Sequence, residues 1–118
     1  MSVGIVAGEP SGDMLGALLV HALRRLIPDI SFVGIAGPQM QAAGVTSLFP
    51  MSTLAVRGYV EVMRNLFEIL AIRRRLRREF AARPPALFIG VDAPDFNLAL
   101  EEALRARGVT TVDFVSPS

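Results

Sequence analysis

At 118 residues the chain is about one domain, and at 52% hydrophobic against 19% charged residues it is apolar for its size. That composition fits a sheet buried on both faces, or surface that meets a membrane or a further protein segment. The absence of cysteine excludes a disulfide framework and a thiolate metal site, and no apolar run approaches the roughly 18 residues that span a bilayer.

Val3–Ala7 is a short apolar run rich in β-branched residues and reads as a buried strand that Met1 enters without a basic leader. Ser11 or Asp13 can cap the following helix, expected over Met14–Leu26 and stopped by Pro28. Phe32–Ala36 is a second strand, ended by Gly37-Pro38, and a short helix through Ala43 stops at Gly44. Val45–Phe49 is a weaker third strand. Leu54–Ala82 reads as a loop and then a long helix closed by Pro84-Pro85. Ala86–Val91 is a strong fourth strand, Asn97–Arg107 a helix ending at Gly108, and Val109–Val115 a fifth strand. Strands alternating with helices predict a doubly wound parallel sheet, whose site lies beyond the strand carboxyl ends where the strand order switches. The last strand has no helix after it, which suggests a sheet completed by later sequence.

The turn after the first strand, "AGEPSGD", has neither the lysine of a P-loop nor the G-x-G-x-x-G of a dinucleotide fold. Amides at Gly12–Met14 could face an anion, but Glu9 and Asp13 oppose a phosphate there. The turn is either a plain capped strand–helix junction or the wall of a sugar site, where carboxylates accept hydroxyl hydrogen bonds. A second acidic turn follows the fourth strand in "FIGVDAPDFNL". Asp95 and Asn97 suit helix capping. Asp92, placed before Pro94, is a poor cap and a candidate general base, with Glu9 expected opposite it across the switch.

The net charge of +1 hides an asymmetry: between Arg57 and Arg83 eight arginines face three glutamates, a net of +5, leaving −4 elsewhere. At about 100° per residue, Ile69, Ile72, Leu76 and Phe80 form one stripe of the long helix. Val60, Met63, Leu66, Phe67 and Leu70 form another, and one turn on the same angles hold Arg73, Arg74, Arg77 and Arg78. The second stripe reads either as part of a wide core face or as a surface that enters anionic lipid. Interleaved aliphatics and one tyrosine are a poor stacking platform for nucleic acid. His21, mid-helix, reads as a surface or half-buried residue rather than a catalyst.

"AGEPSGD", "FVGIAGPQMQAAG", "RGYVEVMRNL", "FIGVDAPDFNL" and "FVSPS", in that order and spacing, resemble the amino-terminal part of the lipid-A-disaccharide synthase family. The resemblance implies an inverting glycosyltransferase of GT-B type. Residues 1–118 would be an incomplete, Rossmann-like acceptor-side domain. The carboxyl-terminal UDP-binding domain would lie outside this chain, which alone is expected to be inactive. The implied reaction moves 2,3-diacylglucosamine from its UDP derivative to 2,3-diacylglucosamine 1-phosphate, without metal or other cofactor. The implied setting is peripheral, on the cytoplasmic face of the inner membrane. By motif, Asp92 matches the family's essential aspartate, while Glu9, Ser11, Gly12, Asp13, Asp95, Asn97 and Ser116 fall in the substrate-side motifs. Two positions depart: Asp113 stands where a histidine is expected, and Arg57 where an apolar residue is usual. The alternatives from other classes are a complete Rossmann-like nucleotide-binding module and a non-catalytic membrane-binding fragment.

Overall fold

A computed structural model describes residues 1–54, 59–91 and 94–114, and within them every side chain except those of 53, 59–66 and 94–96. The elements are β1 (Ser2–Ala7), α1 (Pro10–Leu26), β2 (Ser31–Ala36), α2 (Pro38–Ala42), β3 (Val45–Pro50), a 3₁₀ turn (Met51–Thr53), α3 (Tyr59–Ala82), β4 (Leu87–Val91), α4 (Pro94–Arg105) and β5 (Thr110–Phe114). All five strands are parallel, in the order β3-β2-β1-β4-β5. The chain winds outward from β1 to β3, and α3 then returns it to the other side of β1. The switch in strand order therefore lies between β1 and β4, as a doubly wound sheet requires.

The period of two in β1 sorts its side chains between two cores. Val3, Ile5 and Ala7 pack with Ala17 and Val20 of α1 and Met40 of α2. Val6 joins Phe88, the α3 stripe Ile72, Leu76 and Phe80, and Leu100 and Leu104 of α4. Phe80 and Phe88 meet edge-to-face, ring centroids 5.9 Å apart at 63°, a geometry that adds to plain area burial. Burial on both faces holds for β1 and not for β5, where Val112 and Phe114 are each about two-fifths exposed. Among the described residues, β5 pairs with β4 and packs mainly against α4.

Two helices begin earlier than the capping pattern predicts. Helix α1 starts at Pro10 with Glu9 as its N-cap and no side-chain capping bond, so neither Ser11 nor Asp13 caps it. Helix α4 starts at Pro94, which puts Asn97 inside the helix. The reason is common to both: proline lacks the amide that a first helical residue cannot use, and its fixed φ already suits the helix.

Candidate functional site

The register brings together the strand ends from which the two acidic turns leave. Ala7 of β1 pairs with Val91 of β4, so the chain leaves adjacent strands at the same level, into Gly8-Glu9 on one side and toward Asp92 on the other. Asp92 and Ser116 lie outside the described residues, as does the side chain of Asp95. Glu9 is exposed, in extended backbone (φ −155°, ψ 165°), and Ser11 is exposed one residue into α1. Gly12 is buried. The amide of Asp13 already reaches the Glu9 carbonyl at 3.0 Å, and Pro10 has no amide. Within the helix, the amides left without an intrahelical carbonyl are therefore those of Ser11 and Gly12, whereas the sequence suggests Gly12 to Met14.

Asp13 does not join this group. It is 2% exposed, and its two carboxylate oxygens accept the amides of Gln39 and Met40, each at 2.9 Å. Those are first-turn amides of α2, so Asp13 caps a different helix from the one it sits on, with its charge at the positive end of that dipole. The close approach needs Gly37, since a Cβ there would stand 2.6 Å from the Asp13 carboxyl carbon. Asp13 is therefore engaged within the fold, and of the two acids in this turn Glu9 is the exposed one.

Below the second turn the polar groups are less well served. Asn97 and Glu101, four residues apart on α4, are each 1% exposed, on the face that also buries Leu100 and Leu104. Among the described residues, both amide atoms of Asn97 and Oε1 of Glu101 have no hydrogen-bond partner. They close over Gly90, where a Cβ would lie 2.7 Å from Asn97 Nδ2 and 2.9 Å from both Glu101 Oε1 and Asp113 Oδ1. Asp113 reaches this point because β5 pairs it with Gly90. Burial first, then the hydrogen bond and charge of Asp113, push the Glu101 carboxyl up to about 7, against the opposing charge of Arg105. Sequence reasoning did not single out Glu101. The available signal was its spacing from Asn97 beneath a glycine in an otherwise apolar strand.

On α3, Ile72, Leu76 and Phe80 are buried and Ile69 packs against the same core. Phe67 is 82% exposed and Leu70 41% exposed, followed by exposed Arg74, Arg77 and Arg78 and half-buried Arg73. The side chains of Val60, Met63 and Leu66, and Arg57 as a whole, lie outside the described residues. Exposed apolar side chains also occur on α1, at Met14, Leu18 and Leu26, which the sequence reading did not mark. His21 is exposed. No helix among the described residues is long and apolar enough to cross a membrane.

Residues 3–118 match the family model described as lipid-A-disaccharide synthetase. Among curated relatives, the lipid-A-disaccharide synthase of Methylobacillus flagellatus is 55% identical over 117 residues, 99% of this chain. That of Aeromonas hydrophila subsp. hydrophila is 57% identical over 98% of the chain, and that of Serratia proteamaculans 52% identical over all of it. In each case the match covers 31% of the relative's length.

Proposed function

This chain belongs to the lipid-A-disaccharide synthetase family, and from that premise we propose that it forms the acceptor-side wall of a glycosyltransfer cleft in a longer protein. The donor is UDP-2,3-diacylglucosamine and the acceptor 2,3-diacylglucosamine 1-phosphate. The acceptor's 6-hydroxyl oxygen bonds to the donor's C1 as the bond from C1 to the UDP oxygen breaks, with inversion. The hydroxyl proton passes to the Asp92 carboxylate, and UDP leaves with the electron pair. Glu9 and Ser11 accept acceptor hydroxyls. Seating of UDP belongs to sequence outside this chain, which spans about a third of its relatives' length.

One observation carries the reading: the pairing of Ala7 with Val91 sets the Glu9 turn beside the point where the chain enters Asp92, at the switch in strand order. The nucleotide-module alternative is disfavoured by a turn without phosphate fingerprint or lysine, whose N-cap is itself a glutamate.

Both substrates carry acyl chains, which calls for work at a lipid surface. Exposed Phe67 and Leu70, followed by Arg74, Arg77 and Arg78, supply an apolar wedge with cations at head-group height. Val60, Met63 and Leu66 extend that face in sequence. The protein then works peripherally, on the cytoplasmic face of the inner membrane.

The test is a transfer assay on the intact protein with labelled UDP-2,3-diacylglucosamine. Disaccharide 1-phosphate and UDP should form in equal amounts, and only when the acceptor is present. Release of UDP at the same rate without acceptor would contradict an acceptor-side role for this half of the cleft.

A further inference from the structure

The turns after β1 and β2 are built alike. Each leads into a helix that begins at a proline, Pro10 for α1 and Pro38 for α2, so Ser11 and Gln39 stand second in their helices. Both are exposed. The parallel pairing of Val6 with Ile35 lies one residue before the end of each strand, so the two turns leave the sheet at the same level.

Asp13 joins the two turns. Its backbone amide donates to the Glu9 carbonyl at 3.0 Å, while its carboxylate accepts the amides of Gln39 and Met40, each at 2.9 Å. One residue thus holds the Glu9 turn by its main chain and the Gln39 turn by its side chain. The joint is close-fitting: a Cβ at Gly16 would stand 2.6 Å from Met40 Sδ, and one at Gly37 would stand 2.6 Å from the Asp13 carboxyl. At 2% exposed, Asp13 makes its charge-assisted bonds where solvent has little access, which strengthens them.

The amides of Gln39 and Met40 are spent on Asp13, so what the second turn offers outward is the Gln39 side chain. Helical Cα–Cβ bonds tilt toward the N-terminus, so Gln39 leans toward the carboxyl edge of the sheet. The turn after β1 presents Glu9 and Ser11 along that same edge. Packed helices such as α1 and α2 lie about 8–10 Å apart, a span that one acylated sugar can bridge.

We propose that Gln39 is a further acceptor-binding residue and that Asp13 is the positioning residue that holds it beside Glu9 and Ser11. The Glu9 carboxylate can only accept hydrogen bonds, whereas the Gln39 carboxamide donates through Nε2 and accepts through Oε1. It therefore serves polar groups of the acceptor sugar that a carboxylate cannot, without adding charge to the wall.

The inference rests on the reading of the turn after β1 as the acceptor side, and its test separates the two. KM for acceptor and for donor is measured in the intact protein for Gln39→Ala, Asp13→Asn, the double variant and Glu9→Gln, each at a temperature where thermal unfolding shows it folded. Because Gln39 is exposed, Gln39→Ala should unfold with the parent. It should raise the acceptor KM about threefold to tenfold, with kcat and the donor KM within about twofold. Asp13→Asn, which leaves one oxygen for two amides, should also raise the acceptor KM. Adding Gln39→Ala to it should then raise that KM by a smaller factor than in the parent, because Asp13 acts through Gln39. An unchanged acceptor KM in Gln39→Ala, equal rises for donor and acceptor, or factors that multiply in the double variant would overturn the proposal. Each of these, with a raised acceptor KM in Glu9→Gln, would leave the Glu9 reading standing. An unchanged acceptor KM in Glu9→Gln beside the predicted Gln39 and Asp13 results would remove Glu9 from the wall and keep Gln39 in it.

Discussion

Two carboxylates are buried to the same depth on opposite faces of one sheet, and they are treated in opposite ways. Asp13 is 2% exposed and receives two backbone amides from the start of α2. Glu101 is 1% exposed, receives no amide among the described residues, and has Asp113 near it across Gly90. Burial alone therefore does not decide what a carboxyl does; the donors it meets decide it. On the α1 side, a short helix turns its amides toward the acid and the charge becomes structural. On the α4 side, the acid lies under its own helix, whose amides are engaged along the axis. The proton is the remaining way to relieve the charge.

Removing the donors or the acid should break this contrast unequally. Asp13→Ala abolishes two charge-assisted bonds and should cost about 4 kcal/mol in urea unfolding. Asp13→Asn should recover part of that, because one oxygen still faces an amide.

The Glu101 side should show as a pH slope. Its carboxyl lies at about 7 in the folded chain against 4.5 for the free group, so between those values the folded state holds the extra proton. Stability contributed by the protonated form is complete below about 4.5 and declines as pH rises to about 7. Over that window the loss is about 3 kcal/mol. Glu101→Gln should remove the slope, and a variant retaining the full slope would place its origin elsewhere.

A smaller effect is expected at Gly90→Ala, where the added methyl would press on Asn97 Nδ2 and both carboxyl groups. The cost should be about 2 kcal/mol in the same unfolding assay, typical of a mildly overfilled site. Least of all for stability is Phe67→Glu, within about 0.5 kcal/mol, because that ring is 82% exposed. Its effect should appear instead in flotation with anionic liposomes, where the variant should bind less than the parent. Unchanged binding would take Phe67 out of the membrane face.

Much of the fold was legible because β1, β2 and β4 are short apolar runs, with Gly or Pro near their ends, and because the long α3 fits an outward step followed by a return across the sheet. The α3 core stripe was legible from its period, and Ile72, Leu76 and Phe80 are buried together. The helix starts were misread because Pro10 and Pro94 look like turn residues before a polar cap, whereas each is the first residue of its helix. The role of Asp13 was hidden because its donors, Gln39 and Met40, are 26 and 27 residues away, contributed by another helix. Glu101 was hidden for a related reason. Its partner Asp113 is brought to it only by the pairing of β5 with β4, and no local pattern states that pairing.

The account rests most heavily on Asp92 as the base of a sugar transfer staged at the β1–β4 switch. The direct measurement is the turnover of Asp92→Asn in the intact protein, with folding verified by its thermal unfolding. A fall in kcat of about a hundredfold or more with unchanged folding is the predicted result. Near-normal kcat in a folded variant would contradict it.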